Sequence, residues 1–170
     1  MPNAADLGVL EAARLLRARQ LSSAELTDAC LERIEQRNGG PPTLDGAPDA
    51  VNAWVRLYPD RAREQATKAD ERRARDGDAT PMLCGIPIGV KDLYAVAGLP
   101  LTASSRVLDP DALAAKDSVA WAALREQGMV LLGHTHTHEF AAGVMRAASA
   151  AALPPLDPPA IRFSACGFPT

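Results

Sequence analysis

Lys91 is the residue whose place in the sequence most directly suggests chemistry. It directly follows a short apolar run formed by Ile88, Gly89 and Val90. The next residue, Asp92, carries a negative charge. A lysine at the end of an apolar strand would lose solvation, and that loss favours the neutral amine that a general base requires. The alternative interpretation is a lysine paired with Asp92 or with a more distant carboxylate. Spacing alone leaves both open.

A second group of candidate residues is a set of alternating histidines. His134, His136 and His138 precede Glu139. Alternate residues of a strand point to the same side, so three imidazoles could converge on zinc or nickel. Histidines two apart on a flat strand splay more widely than a small ion prefers, which disfavours a metal site. We therefore predict no metal site and no cofactor.

Cysteine and tryptophan offer weaker candidates. Cys84 precedes the lysine and could act as a nucleophile, but the sequence places no base beside it. A small buried apolar residue is the expected role of this thiol. Trp54 and Trp121 are expected to pack in a core.

The elements that would position these residues begin with helical signals. Residues 6–19 carry apolar side chains at helical spacing. Ser22 and Glu25 form a capping box before a second helix, which two glycines and two prolines end at 39–42. Alternation over 51–57 predicts a half-buried strand. A third helix is predicted from Pro59 to about Arg75, with an apolar side formed by Ala62, Ala66 and Ala69.

The second half of the chain predicts a helix, a short turn and an apolar strand. Asp117 is expected to cap the helix, with Val119, Ala123 and Leu124 turned inward. Residues 129–132 follow as a continuous apolar strand of the kind that is buried on both faces of a sheet. This order is typical of an α/β fold.

Composition limits the classes of function. The chain has 170 residues, enough for one domain with a core, and a net charge of −3. That charge argues against a nucleic acid or an anionic membrane as a partner, because both favour a basic surface. No stretch has the length of a membrane span, and the start of the chain lacks the apolar segment of a signal peptide. A cytoplasmic protein is expected.

Most of the chain resembles the amidase-signature family. Residues 85–92 are similar to the lysine-bearing motif of that family, and residues 133–143 are similar to its "GKTNxxEFA" stretch. The resemblance runs from about Leu21 to Val144, and within that span it also rests on residues 21–34, 51–53, 98–105, 117–124 and 128–133. It implies the N-terminal portion of a fold in which a mixed β-sheet is flanked by helices. An incomplete sheet leaves an unpaired edge and uncovered apolar surface, so we expect marginal stability, aggregation or reliance on another chain.

The resemblance also implies a mechanism, the hydrolysis of a carboxylic amide by a Ser-cisSer-Lys triad. A neutral lysine takes a proton from a bridging serine, which activates a nucleophilic serine for attack on the amide carbonyl. Backbone amides of a glycine-rich loop would hold the oxyanion. Lys91 matches the catalytic lysine, and this match requires its amine to be sheltered at the end of a strand.

The serines of the triad have no clear counterpart in this chain. Ser149 would match a trailing serine of the family's glycine-serine loop, and Ala160 stands where the nucleophile is expected. Ser164 is a further hydroxyl without neighbouring glycines. We therefore divide the chain into residues 1–146, the N-terminal part of an amidase domain, and residues 147–170, an Ala/Pro-rich degenerate tail that is expected to be poorly ordered.

Three interpretations of function remain open at this stage. The first is an amidase of small-molecule amides, truncated or altered here and inactive alone. The second is the glutamine-hydrolysing A subunit of a tRNA-dependent amidotransferase, which would work with partner subunits. The third is a non-enzymatic remnant or interaction module. Association of the chain with copies of itself is left open, and no direct contact with nucleic acid or membrane is expected.

Overall fold

A three-stranded mixed sheet flanked by four α-helices forms the part of the chain, residues 3–45 and 50–142, that the computed structural model describes. The predicted α/β class is confirmed. The helices are α1 (Val9–Arg17), α2 (Ser23–Arg37), α3 (Pro59–Asp76) and α4 (Val119–Glu126), and the strands are β1 (Trp54–Leu57), β2 (Pro87–Lys91) and β3 (Val130–Thr135). Short 3-10 turns occupy Ala4–Asp6, Gly77–Ala79 and Glu139–Ala141. None of the described helices is both long and apolar enough to span a membrane.

Strand β3 lies at the centre of the sheet, in the order β1-β3-β2. It runs antiparallel to β1 and parallel to β2, with α4 as the crossover between the two parallel strands. Its first five residues are buried, as the apolar run predicts. Gly133 is required in β3 because a β-carbon there would lie 2.2 Å from the carbonyl oxygen of Arg56 in β1.

The start of α2 confirms the predicted capping box. The Ser22 hydroxyl accepts a hydrogen bond from the Glu25 amide at 3.1 Å, and the Glu25 carboxylate accepts one from the Ser22 amide at 2.8 Å. That backbone donor holds the pKa of Glu25 below its usual value. Asp70 of α3 accepts hydrogen bonds from the amides of Ser23 and Ala24 at 2.7 and 3.1 Å. The amides at the start of α2, which have no partner within the helix, therefore attach α2 to α3.

Apolar side chains cover both faces of the sheet. On one face α1, α2 and α3 pack on Trp54, Val130 and Leu132, and the alanines predicted for α3 are buried there. On the other face Val90 and Leu131 join Trp121 of α4. Two buried faces explain why β3 is a continuous apolar run.

Two sequence expectations are wrong in detail. Val119 is 89% exposed and Ala123 is also exposed, whereas Trp121 is the side chain that α4 buries and Leu124 is half-buried. The cap of α4 is Ser118, whose hydroxyl accepts from the Trp121 amide at 3.3 Å. Asp117 instead accepts a hydrogen bond from the Ala97 amide at 2.7 Å. A shift of one or two residues in the start of a helix is enough to move a predicted inward residue into solvent.

Candidate functional site

Lys91 is the last residue of β2 and lies opposite Thr135, the last residue of β3. The predicted position at a strand end is therefore observed. Because β2 and β3 are parallel, their carboxyl ends meet at one edge of the sheet, which is where α/β proteins build their sites. The segments that follow both strands converge at this edge.

The Lys91 side chain is exposed, contrary to the expectation that it is sheltered. Strand alternation gives the physical reason, because it turns the flanking Val90 and Asp92 into buried surroundings and Lys91 the opposite way. The described residues do not cover it on that side. Shelter for this amine would have to come from outside the described residues.

Asp92 is a buried carboxylate that the sequence suggested only as a partner for Lys91. It is fully buried and accepts hydrogen bonds from the Thr102 amide at 3.3 Å, from the Thr102 hydroxyl and from the Ser104 amide at 3.0 Å. Its ionic neighbour within the described ranges is Arg56 of β1, at 3.9 Å. The carboxylate therefore anchors a loop to the end of β2 and does not pair with Lys91.

The loop anchored by Asp92 is a tight turn over residues 102–105. Ala103 and Ser104 have φ values of 50° and 51°, a left-handed conformation that costs energy for residues other than glycine. The Ser104 hydroxyl accepts from the Thr137 amide at 3.0 Å, and the Ser105 hydroxyl donates to Glu139 at 2.7 Å. The turn thus connects the segments that follow β2 and β3, and the cluster of hydroxyl residues was its signal in the sequence.

His134 is fully buried at the end of β3. Its Nε2 lies 3.3 Å from the Tyr94 carbonyl oxygen, and its Nδ1 lies 3.0 Å from the Tyr58 hydroxyl. A carbonyl oxygen can only accept, so Nε2 carries the proton and Nδ1 accepts from Tyr58. Burial lowers the pKa of His134 and raises the pKa of Tyr58. The neutral imidazole is therefore the form that this pocket accommodates.

The other two histidines do not join His134. Strand β3 ends at Thr135, so the alternation of the strand is lost before His136. His136 places Nε2 2.9 Å from the Thr43 carbonyl oxygen, and His138 is exposed. Among residues 3–45 and 50–142, no three histidine, cysteine or acidic side chains come close enough together to hold a metal. The three histidines therefore do not converge on a common point within these residues.

The unfolding free energy is expected to fall as the pH drops from 7.5 to 5, in part because of His134. Its pKa is lower in the folded protein than the usual 6.5, so the unfolded chain binds the proton first. The His134 contribution is complete above about pH 6.5 and is lost as the pH falls towards the folded value, with a slope of at most about 1.4 kcal/mol per pH unit. Urea titrations at several pH values measure this.

The matched variants are His134→Gln and His138→Gln. His134→Gln should flatten the dependence between pH 7.5 and 5, since Tyr58, the titratable side chain in contact with His134, has a pKa raised above its usual 10 and keeps its proton over this range. His138→Gln should leave the dependence unchanged because that side chain is exposed. Equal pH profiles for the wild type and His134→Gln would contradict the assignment.

Cys84 and the serines of the tail complete the candidate residues. Cys84 is buried, and burial raises the pKa of its thiol, which matches the predicted role as a small apolar residue. Ser149, Ala160 and Ser164 lie outside the described residues, as does the whole tail over 147–170. The domain boundary placed at 146 and 147 stays a prediction.

A family model described as Amidase matches residues 25–159. The chain belongs to the amidase family. This amidase-family chain is 41% identical over 147 residues to the A subunit of the glutamyl-tRNA(Gln) amidotransferase of Ruegeria sp. (strain TM1040). It is 37% identical over 145 residues to an amidase of Pseudomonas putida. Among solved structures, the native peptide amidase from Stenotrophomonas maltophilia matches with a TM-score of 0.65 and 32% identity.

These matches cover most of this amidase-family chain and little of the relatives. The Ruegeria match covers 85% of this chain and 26% of the relative, and the Pseudomonas match covers 84% and 28%. The peptide amidase match covers 80% of this chain and 26% of that structure. The chain spans about a quarter of the length of the relatives it matches, and its three-stranded sheet is a part of their fold.

Proposed function

We propose that this chain contributes the lysine-bearing part of an enzyme that hydrolyses the C–N bond of carboxylic amides. The observation that carries the proposal is Lys91 at the carboxyl end of β2, inside the residues matched by the family model. A relative named amidase supports the reaction class, and a small-molecule amide is the proposed substrate. A cytoplasmic location is part of the same proposal.

In the proposed reaction, the neutral amine of Lys91 accepts a proton from a bridging serine. That serine takes the proton of a nucleophilic serine, whose oxygen attacks the amide carbonyl. The C–N bond then breaks, the leaving nitrogen takes up a proton, and water cleaves the acyl-enzyme to the carboxylic acid. Water around an exposed lysine favours the ammonium, which cannot accept a proton. The exposed Lys91 therefore needs a cover before it can act as a base.

We expect no amide hydrolysis by the 170-residue chain alone. Ala160 stands where the nucleophile is expected, and loss of a nucleophile leaves only the residual rate that binding and positioning provide. The measurement is ammonia release from benzamide, and from glutamine in a second assay, by the purified chain and by Lys91→Ala. The matched control is Lys68→Ala, an exposed lysine that pairs with Glu64 on α3. Ammonia release that Lys91→Ala abolishes and Lys68→Ala preserves would overturn the prediction of inactivity.

A second candidate function is the glutamine-hydrolysing A subunit of an amidotransferase. The observation in its favour is the match to several relatives named as the A subunit of glutamyl-tRNA(Gln) amidotransferase. These relatives are 36–41% identical to this chain over the matched residues. A protein of this kind would release ammonia from glutamine only with its partner subunits present. Ammonia from glutamine in the complex, without hydrolysis of benzamide, would favour this candidate. Inactivity in every assay, with and without partners, would favour the non-enzymatic remnant or interaction module.

A further inference from the structure

A cavity of about 410 Å³ opens between the turn that joins α1 to α2 and the second half of α3. It lies near the amino end of β2, because α2 begins beside it and the Ser23 hydroxyl donates at 2.8 Å to the Gly85 carbonyl, just before that strand. Lys91 ends the same strand, so the cavity is separate from the candidate catalytic site. Its volume falls within the range of about 300–1,000 Å³ that small-molecule sites occupy.

Arg73 of α3 is a buried guanidinium in the wall of this cavity, 7% exposed. Its Nε and Nη2 donate to the Cys84 carbonyl at 3.0 and 2.6 Å, while Nη1 makes no hydrogen bond with any described residue. The flanking Arg72 and Arg75 both pair with Asp76. Arg73 forms no ion pair within the described part of the chain. A buried charge without a counter-charge is costly, so an anion that reaches Nη1 would stabilise this side chain.

Two further arginines add positive charge on this side of the molecule. Arg19, in the turn between α1 and α2, lines the cavity with an exposed side chain. Burial lowers the pKa of Arg73, and the nearby charge of Arg17 at the end of α1 adds to that effect. Neither Arg17 nor Arg19 forms an ion pair with a described residue. A bound anion would relieve the repulsion among these like charges.

Two carboxylates also line the cavity, and they decide which anion fits. Glu25 accepts from the Ser22 amide and hydroxyl through Oε2, both at 2.8 Å, and its Oε1 has no partner among the described residues. Asp70 accepts from the amides of Ser23 and Ala24. Both carboxylates are therefore bound to α2 and not to the arginines, but their charge repels a phosphate dianion. They favour a ligand that carries an ammonium group beside its carboxylate.

We propose that this cavity binds an aliphatic α-amino acid as a free zwitterion. The guanidinium groups of Arg73 and Arg19 suit its carboxylate, because their planar forks match two oxygens. Oε1 of Glu25 accepts from its ammonium group. Leu16 and the half-buried Leu21 form an apolar part of the wall, against which an aliphatic side chain would pack. The inference does not rest on the proposed function, since a ligand at the amino end of β2 is not the amide that is cleaved.

Isothermal titration calorimetry of the full 170-residue chain tests the ligand class with four probes. L-Leucine carries both charged groups, isocaproate lacks the ammonium group, L-leucinamide lacks the carboxylate, and inorganic phosphate is a plain anion. We expect leucine to bind with a Kd of about 1 mM or lower and the other three at least about tenfold more weakly. No binding of leucine at millimolar concentrations would overturn the proposal. Isocaproate or phosphate that binds as tightly as leucine would also overturn it, because the cavity would then be a simple anion site.

Three variants with intact folds in view test the assigned contacts. Arg19→Ala removes an exposed side chain, and Glu25→Gln removes a charge while glutamine keeps the capping box with Ser22. Each should weaken leucine binding about fivefold or more, because each removes a charge-assisted hydrogen bond. Arg14→Ala is the matched control, since Arg14 is exposed on α1 outside the cavity wall. Equal affinities of all three variants and the wild type would contradict the site.

Arg73→Lys and Lys91→Ala complete the test. Lysine at position 73 keeps the charge but loses the planar fork, so leucine binding should weaken about tenfold in a protein whose circular dichroism matches the wild type. Lys91→Ala should leave leucine affinity unchanged, because Lys91 lies at the other end of β2. Loss of leucine binding in Lys91→Ala would place the amino acid at the candidate catalytic site and overturn the proposal.

Discussion

Replacement of Asp92 by alanine is expected to lower the free energy of unfolding by about 3–5 kcal/mol, enough to unfold a marginally stable chain. The side chain is fully buried and accepts hydrogen bonds from two amides and a hydroxyl of the turn over 102–105. Without it, the Thr102 and Ser104 donors lose their acceptor in a place that water does not reach. Arg56, 3.9 Å from the carboxylate, also loses its neighbouring negative charge.

Chemical denaturation followed by tryptophan fluorescence measures this effect, since Trp54 and Trp121 are both buried. Asp92→Asn keeps the shape and one acceptor oxygen, so its cost should be smaller, about 1–2 kcal/mol. Asp111→Ala removes an exposed carboxylate and should change stability by less than about 0.5 kcal/mol. An Asp92→Ala protein within about 1 kcal/mol of the wild type would show that the turn does not depend on the carboxylate.

Replacement of Gly133 by alanine is expected to cost about 3 kcal/mol or more, because the new methyl group overlaps backbone and not a movable side chain. An ideal β-carbon at this position would lie 2.2 Å from the Arg56 carbonyl oxygen and 3.0 Å from the Leu57 α-carbon. Strand β1 would have to move away from β3, and the pairing of Leu57 with Gly133 would be lost. The movement of β1 would also loosen the packing of Trp54 in the core.

Gly8→Ala is the matched control for this change. A β-carbon at Gly8 meets nothing within 4 Å, and its φ of −70° suits any residue. The substitution at this helix cap should cost less than about 1 kcal/mol. Thermal unfolding followed by circular dichroism compares the two variants. A Gly133→Ala protein with the melting temperature of Gly8→Ala would mean that β1 and β3 are not packed as closely as the structure shows.

The sequence by itself determined the elements whose causes are local. The capping box of Ser22 and Glu25 involves residues three apart, and the alanines of α3 repeat at helical spacing, so both were predictable and both are confirmed. The apolar run before Gly133 predicted a strand buried on both faces, which β3 is. The motif around Lys91 predicted the amidase family, which the family model confirms.

Only the tertiary structure decided where side chains point and what they contact. Asp92 binds Thr102 and Arg56, which are 10 and 36 positions away, and no local pattern records such contacts. The end of β3 at Thr135 separates the three histidines, although their spacing matches a strand. Lys91 is exposed because strand alternation turns its side chain away from the buried Val90 and Asp92, and no described residue packs over it on that side. Local propensity fixes helices and strands, whereas burial and partners arise only when distant segments meet.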